Sequence, residues 1–332
     1  MIMESIHKTV LLNETIEDLN LSASSAGGQN NSLVLDCTFG GGGHSREILL
    51  RYPNSKVIAL DQDNTVWEKA KGKFKGLENR ITFVNANFRD LKTKVFPAKN
   101  FLETAPSESK GQGTHTFLKN SLPEKLDAVI FDLGLSSDQL ENSGRGFSFM
   151  KDEPLLMTMK ENPLSEDVTA LDVVNTWEEK NLADIIYGYG EERYGRKIAK
   201  AIVEARKNGE IKTTFDLVKI IEGAIPAKYR RGRLHPATKT FQALRIAVND
   251  ELGALKEGLE EGFNQLKVGG RMSVISFHSL EDRVTKKFFK EKEKQGKARL
   301  INKKPILAGS EELKNNPRAR SAKLRILEKI KQ

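Results

Sequence analysis

LVLDCTFGGGGHS, residues 33–45, decides how the rest of the chain is read. Leu33, Val34 and Leu35 make a short apolar run bounded by polar residues, the pattern of a strand buried in a parallel sheet. Asp36 stands at its carboxyl end, Gly40 to Gly43 follow, and Ser45, Ile48 and Leu49 begin a helical spacing. Strand, glycine turn and helix together form a nucleotide-type pocket, because bare backbone lets a ligand come close and the amides of the helix start face it. The plain alternative is a glycine-rich connection with no ligand, which would leave the conformational cost of four successive glycines unexplained.

Two features narrow the ligand. No Lys-Ser/Thr pair follows the glycines, which argues against a phosphate-gripping P-loop. An acid precedes them by four positions, whereas dinucleotide dehydrogenases place their first glycine directly after the strand. A carboxylate there suits a cationic, amino-acid-bearing ligand such as S-adenosylmethionine.

At 332 residues the chain can bury a large core in one or two domains. Its 54 Lys+Arg against 45 Asp+Glu give a net charge of +9. That balance favours an anionic partner, nucleic acid being the commonest, over an uncommitted basic surface. A single cysteine, Cys37, excludes an intrachain disulfide framework and suits a reducing cytoplasm. No apolar run approaches the roughly 20 residues of a membrane helix, and the first residues resemble neither a secretory nor an organellar leader. A soluble, cytoplasmic protein is expected.

Outward from the elbow, residues 7–20 predict a helical start capped by Asn13 or Thr15, and SASSAGGQNN at 22–31 predicts a surface connection. KVIAL (56–60) is a second strand ending at Asp61, which follows Gly40 by 21 positions, where doubly wound folds place a carboxylate for ribose hydroxyls. A helix is expected over 66–73 and a third strand at ITFVN (81–85), followed by Phe88. Short crossovers between these strands argue for a parallel α/β sheet with its chemistry at the carboxyl ends. Residues 92–125 are polar and aperiodic, a surface excursion; LDAVIFDL (126–133) is the clearest strand, with Asp132 near its exit. ALDVVNTW, NLADIIYGY, RKIAKAIVEARK and TFDLVKIIEGAI then space apolar residues three and four apart without a strand between them. The organisation expected is a core over 1–140, an inserted helical domain at 141–237 and a return to the core over 238–332. A basic loop starting at Lys228 leads into a long helix or helix pair; in the return, RMSVISF (271–277) restores the strand pattern after Gly269-Gly270, and two last strands pair as an antiparallel edge hairpin.

Specific resemblance is carried by HKTVLL (7–12), DCTFGGGGHS (36–45), DLGLSSDQL (132–140), RGFSFM (145–150), YGEER (189–193), HPATKTFQALRIAVN (235–249), SFHSLEDR (276–283) and NPRARS (316–321). Through these stretches, which span nearly the whole chain, it resembles the bacterial 16S ribosomal RNA (cytosine-1402 N4) methyltransferase family. The resemblance implies a Rossmann-like class I methyltransferase core, with a mostly parallel seven-stranded sheet and a helical insertion. It also implies S-adenosylmethionine as methyl donor and 16S rRNA or the small ribosomal subunit as partner, with no membrane role. The excursion at 92–125 has no counterpart. Where the family reads Pro-Leu-Asp-Met-Arg-Met-Asp, this chain reads PLLMTMK (154–160), keeping the apolar frame but losing two acids and an arginine.

The implied reaction methylates the exocyclic amine of a cytidine, a poor nucleophile whose lone pair is delocalised into the ring. The amine must be held in line with the S–CH3 bond while an acceptor draws on its hydrogens. Asp132, with the backbone of Gly134 to Ser136, is the candidate acceptor, and Phe147 or Phe149 could stack an unstacked base, core packing being the alternative for either ring. Matching the motif places Gly42, Gly43 and His44 on the donor's amino-acid portion, and Asp36 and Gly40 of the same turn are also expected to bind the donor. Asp61 falls on the ribose and Phe88 on the adenine, with Asp132 and Gln139 nearby. His44 and Asp61 could instead serve as helix caps. RNA contacts are expected from Arg145, Lys228, Arg230, Arg231, Arg233, His235, Lys239 and Arg245, with Arg318 and Arg320 as a second group. The histidines lack partners at ligand spacing, so no metal is expected. A homodimer is compatible with the sequence, which does not fix the oligomeric state. Three alternatives stay open: a methyltransferase on another amine or amide, a catalytically weakened RNA-binding or ribosome-assembly protein, and an NAD-dependent dehydrogenase.

Overall fold

The structure, a computed structural model, describes residues 8–21, 31–96, 125–160, 163–232 and 234–332. His7, the connection at 22–30, most of the expected excursion (97–124) and Arg233 lie outside them.

The core carries a seven-stranded sheet of β1 (Leu33–Asp36), β2 (Lys56–Asp61), β3 (Ile81–Asn85), β4 (Leu126–Asp132), β5 (Leu266–Ser276), β6 (Ala298–Leu300) and β7 (Lys323–Lys329), in the order β3-β2-β1-β4-β5-β7-β6. β3 through β5 run parallel, while β7 is antiparallel to both β5 and β6. The order reverses between β1 and β4, which puts their carboxyl ends at the topological switch point where α/β sheets bind ligands.

Alternation explains why the short strands are so apolar. Val34, Val57, Ala59, Ala128 and Ile130 face one core; Leu35, Ile58, Leu60, Val129 and Phe131 face another. Both faces are covered, so each buried aliphatic side chain contributes about 1.5–3 kcal/mol relative to exposure. On the second face lies the helix Glu251–Gln265, whose Gly258 and Gly262 permit close approach. A Cβ on Gly258 would stand 2.7 Å from Phe88, and one on Gly262 would stand 3.2 Å from Met272.

Several local expectations are corrected. The first helix is Leu12–Glu17, with Leu11 at its N-cap in the left-handed region, so Asn13 and Thr15 lie inside it. Helix 65–70 gives way to a 3-10 turn, Lys71–Phe74, rather than continuing to 73. β5 starts at Leu266, before Gly269-Gly270, and its pairing with β4 shifts register there. The segment 238–265 takes the second of the two expected forms, a helix pair, Thr238–Asn249 and Glu251–Gln265, broken where Asp250 turns left-handed at φ 44°. The C-terminal hairpin is present as β6 and β7, but β6 covers only three residues of its apolar run.

The chain divides into two compact units: residues 1–134 with 252–332, carrying the sheet, and residues 135–251. The span 141–237 lies inside the second. That unit has its own core, in which Leu182, Ile186, Ile198, Ile202, Leu217 and Ile221 from helices Glu179–Gly188, Gly195–Ala205 and Thr214–Ala224 meet Phe241 and Leu244 of Thr238–Asn249. Thr169 and Thr213 each start a helix through a capping box, with Asp172 and Asp216. The altered PLLMTMK segment is a strap on this core. Leu155, Met157 and Met159 are buried, and Asn249 both donates to Met157 O and accepts from Met159 N. That packing accounts for the retained apolar frame.

Candidate active site

The glycine elbow is fixed from below by carboxylates. Asp36, at the end of β1, is 1% exposed and already committed: it accepts from the Thr38 amide at 3.1 Å and from the Ser45 hydroxyl at 2.6 Å. It shapes the turn and its field without presenting a free oxygen. Asp61, at the end of β2, accepts from Gly40 N and from Asp63 N, each at 2.9 Å, tying the second strand's exit to the first glycine. Gly40 (φ 51°) and Gly42 (φ 74°) occupy the left-handed region that the turn requires. Gly43 is required for space, since a Cβ there would lie 1.7 Å from Thr9 Oγ1.

His44, in the first turn of the helix Gly43–Arg51, is buried, and its Nδ1 lies 3.6 Å from Asp132 Oδ2. Asp132 ends β4, its amide donating to Thr38 Oγ1 at 2.6 Å. Its Oδ1 is buried and has no hydrogen-bond partner among the described residues. An unsatisfied buried carboxylate oxygen at a strand exit is costly unless a ligand or proton completes it.

Electrostatics follow from this crowding. Burial is the main cause that pushes the Asp132 carboxyl well above the usual carboxylate range, and the charges of Asp36 and Glu281 add to it. Burial raises Asp36 also, while its bonds from Ser45 and Thr38 pull the other way. Asp61 is pushed up to about 6, again chiefly by burial. Three acids crowded at adjacent strand ends favour a cation between them.

Behind the elbow, Phe39 meets Trp67, Phe74 and Phe83 at ring separations of 5.6 to 5.8 Å. A Cβ on Gly42 would strike Phe39 and Phe74 at under 3 Å, so this wall presses directly on the turn. Phe88 follows β3, half-buried, with its ring edge-on to Phe131 at 5.6 Å. Thus Asp36, Gly40, Gly42, Gly43, His44, Asp61 and Asp132 come together. Thr9, Thr38, Phe39 and Glu281 join them without having been singled out from sequence. Only Glu281 had a local signal: it closes a capping box with His278 at the start of Ser279–Lys294.

The remaining candidates lie in the helical unit or at the C-terminal turn. Ser136 and Gln139 satisfy each other's backbone amides as the capping box of helix Ser137–Asn142. Arg145 is buried, donating to Met159 O and Lys160 O, with its guanidinium 5.5 Å from the centre of the Phe147 ring. Phe147 is core, whereas Phe149 is half-buried and stacks on His235 at 4.4 Å and 13°. His235 Nδ1 accepts from Ala237 N at 3.2 Å. Lys239 donates to Glu191 O, and Arg245 makes a two-bond pair with Glu251 at 2.7 and 2.9 Å. Lys228, Arg230 and Arg231 are exposed. Arg318 and Arg320 sit on the turn Pro317–Ser321, held to the N-terminal segment by Asn316 Nδ2 donating to Lys8 O.

With this geometry in view, the chain can be set beside known proteins. The family model described as the MraW methylase family matches residues 4–330. A protein of Lactobacillus johnsonii named ribosomal RNA small subunit methyltransferase H is 42% identical over 347 residues, covering 99% of this chain and 100% of the relative. One of Clostridium botulinum with the same name is 42% identical over 344 residues, again covering 99% and 100%. Among solved structures, an rRNA methylase from Streptococcus thermophilus aligns over 100% of this chain and 99% of its own, at 12% identity and a TM-score of 0.41. The chain belongs to the MraW methylase family and is a methyltransferase.

Proposed function

We propose that this protein transfers a methyl group from S-adenosylmethionine to N4 of cytidine 1402 in 16S rRNA of the small ribosomal subunit, in the cytoplasm. The names of its relatives support the small-subunit substrate, and the sequence resemblance supports the atom. The observation that carries the chemistry is Asp132, a strand-end carboxylate with a buried, unpartnered Oδ1 beside His44 and the glycine elbow.

The residues fit the donor. Its sulfonium would favour the charged forms of Asp36, Asp61 and Asp132, which burial above all disfavours, and the left-handed glycines leave bare backbone for its amino-acid portion. Asp61, whose two oxygens already accept from Gly40 N and Asp63 N, would take the ribose hydroxyls on its remaining lone pairs, and Phe88 would hold the adenine. When bound, the donor supplies an electrophilic methyl group activated by positive sulfur. Asp132 would accept a hydrogen bond from the cytidine amine, raise the electron density on its nitrogen and take the proton released when the S–CH3 bond breaks and the N–CH3 bond forms. His44 holds Asp132 in place. Phe149, half-buried and stacked on His235 where Phe147 is core, is the ring exposed enough to receive a base, and Lys228, Arg230 and Arg231 would bind phosphates. Ser136 and Gln139 act through the backbone start they cap.

Mass spectrometry of small-subunit rRNA from cells lacking the gene tests this reading. Loss of N4-methylcytidine at position 1402 is expected, and its persistence would reject the assignment.

A further inference from the structure

The YGEER stretch is not used by the chemistry above, yet it is one of the most tightly determined turns of the helical unit. Gly190 lies against the start of Thr238–Asn249, where a Cβ would come 2.5 Å from Lys239 O. Gln242 Nε2 donates to Tyr189 O at 2.9 Å and Lys239 Nζ to Glu191 O at 2.8 Å. Glu192 is 1% exposed; one carboxylate oxygen accepts from Tyr194 N at 2.8 Å and the other from the Tyr229 hydroxyl at 2.8 Å. Arg193 is exposed, but its guanidinium is held over two rings, 4.8 Å from the centre of Tyr194 and 4.7 Å from that of Tyr229. The rings themselves meet edge to face at 4.9 Å. Tyr229 belongs to the short helix Ala227–Arg230, between Lys228 and Arg230. Among the described residues, no carboxylate pairs with Arg193, Lys228, Arg230 or Arg231, unlike Arg245, which Glu251 neutralises.

We propose that Arg193 is an RNA contact, its guanidinium aligned by Tyr194 and Tyr229 to extend the phosphate-binding surface of Lys228–Arg231, and that buried Glu192 positions it through the Tyr229 hydroxyl. The inference rests on the reading of the basic segment as RNA-binding and adds a residue and a positioning device to it. A stacked guanidinium retains its in-plane donors for phosphate oxygens or a base edge while losing little freedom on binding. Tyr229 stays protonated, its pKa pushed up to about 12 by burial and by the Glu192 bond, so it remains a donor at every working pH.

Binding of a 16S-derived RNA fragment, measured against salt, and steady-state methylation of purified small subunits together test it in the full-length protein. Arg193→Gln is expected to weaken RNA binding and raise KM by at least about fivefold and to reduce the log–log salt slope by about one, with kcat and donor affinity retained. Tyr229→Phe keeps the ring and should give a smaller shift of the same kind, and the double variant should be no worse than Arg193→Gln alone. Unchanged binding and KM in Arg193→Gln would overturn the contact. Additive losses in the double variant would overturn the positioning role. Because RNA binding is read without turnover, its failure is separable from failure of the methylation assignment.

Discussion

The glycine elbow and the basic segment hold their functional groups in opposite ways. At the elbow the charged groups are buried, of one sign, and fixed by short bonds from backbone amides, as Gly40 N to Asp61 shows. Around Ala227–Arg230 they are exposed and cationic, and only the aromatic and carboxylate residues beneath them are fixed, as Tyr229 is by Glu192. Buried like charges create a site that responds to protons and to a cationic ligand. Exposed charges create one that responds to ionic strength.

The largest effect separating the two should come from Asp132→Asn. It removes the proton-accepting carboxylate while leaving the elbow's bonds intact, and single-turnover methylation should fall about 10²–10³-fold with RNA binding unchanged. Gly43→Ala comes next. Its Cβ collides with Thr9 Oγ1, and calorimetric or denaturant unfolding should show a loss of about 1–3 kcal/mol. Thr9→Ala in the same chain should restore part of that loss, since it removes the colliding atom.

A third contrast is in pH. Asp61 titrates near 6 in the folded protein, above the ordinary 3.8, so the folded state holds a proton that the unfolded state has released. Stability from this group is full below about pH 4 and declines as pH rises towards 6. Thermal melts should record that decline in the wild type and a shallower one in Asp61→Asn. The smallest effect concerns salt. Replacing Lys228, Arg230 and Arg231 by Gln should flatten the salt dependence of RNA binding by about two to three log–log units without altering donor affinity. If instead donor affinity fell, the two regions would not be independent.

How much of this was legible from sequence follows the same division. Strand, turn and helix at 33–51 are neighbours in the chain, so the apolar run, Asp36 and the glycines predict the elbow directly. The parallel strands and the four central helices were legible for the same reason, as period and punctuation are local. Contacts made at long range were not. Thr9 against Gly43, the Phe39–Phe74 wall and Gly258 under Phe88 carry no local signature. Burial also redistributed roles among the candidate residues: Arg145 became a loop tie, Phe147 a core residue, and Asp36 a turn residue with both oxygens engaged. The capping box of Ser136 and Gln139 could have been read from its Ser-x-x-Gln spacing.

The most direct test supplies purified small subunits and methyl-labelled S-adenosylmethionine to the wild-type protein and to Asp132→Asn, then maps the label by nuclease digestion and mass spectrometry. The expected result is one labelled N4-methylcytidine at position 1402 with the wild type and almost none with the variant. Label on another atom or nucleotide, or equal labelling by Asp132→Asn, would contradict the account.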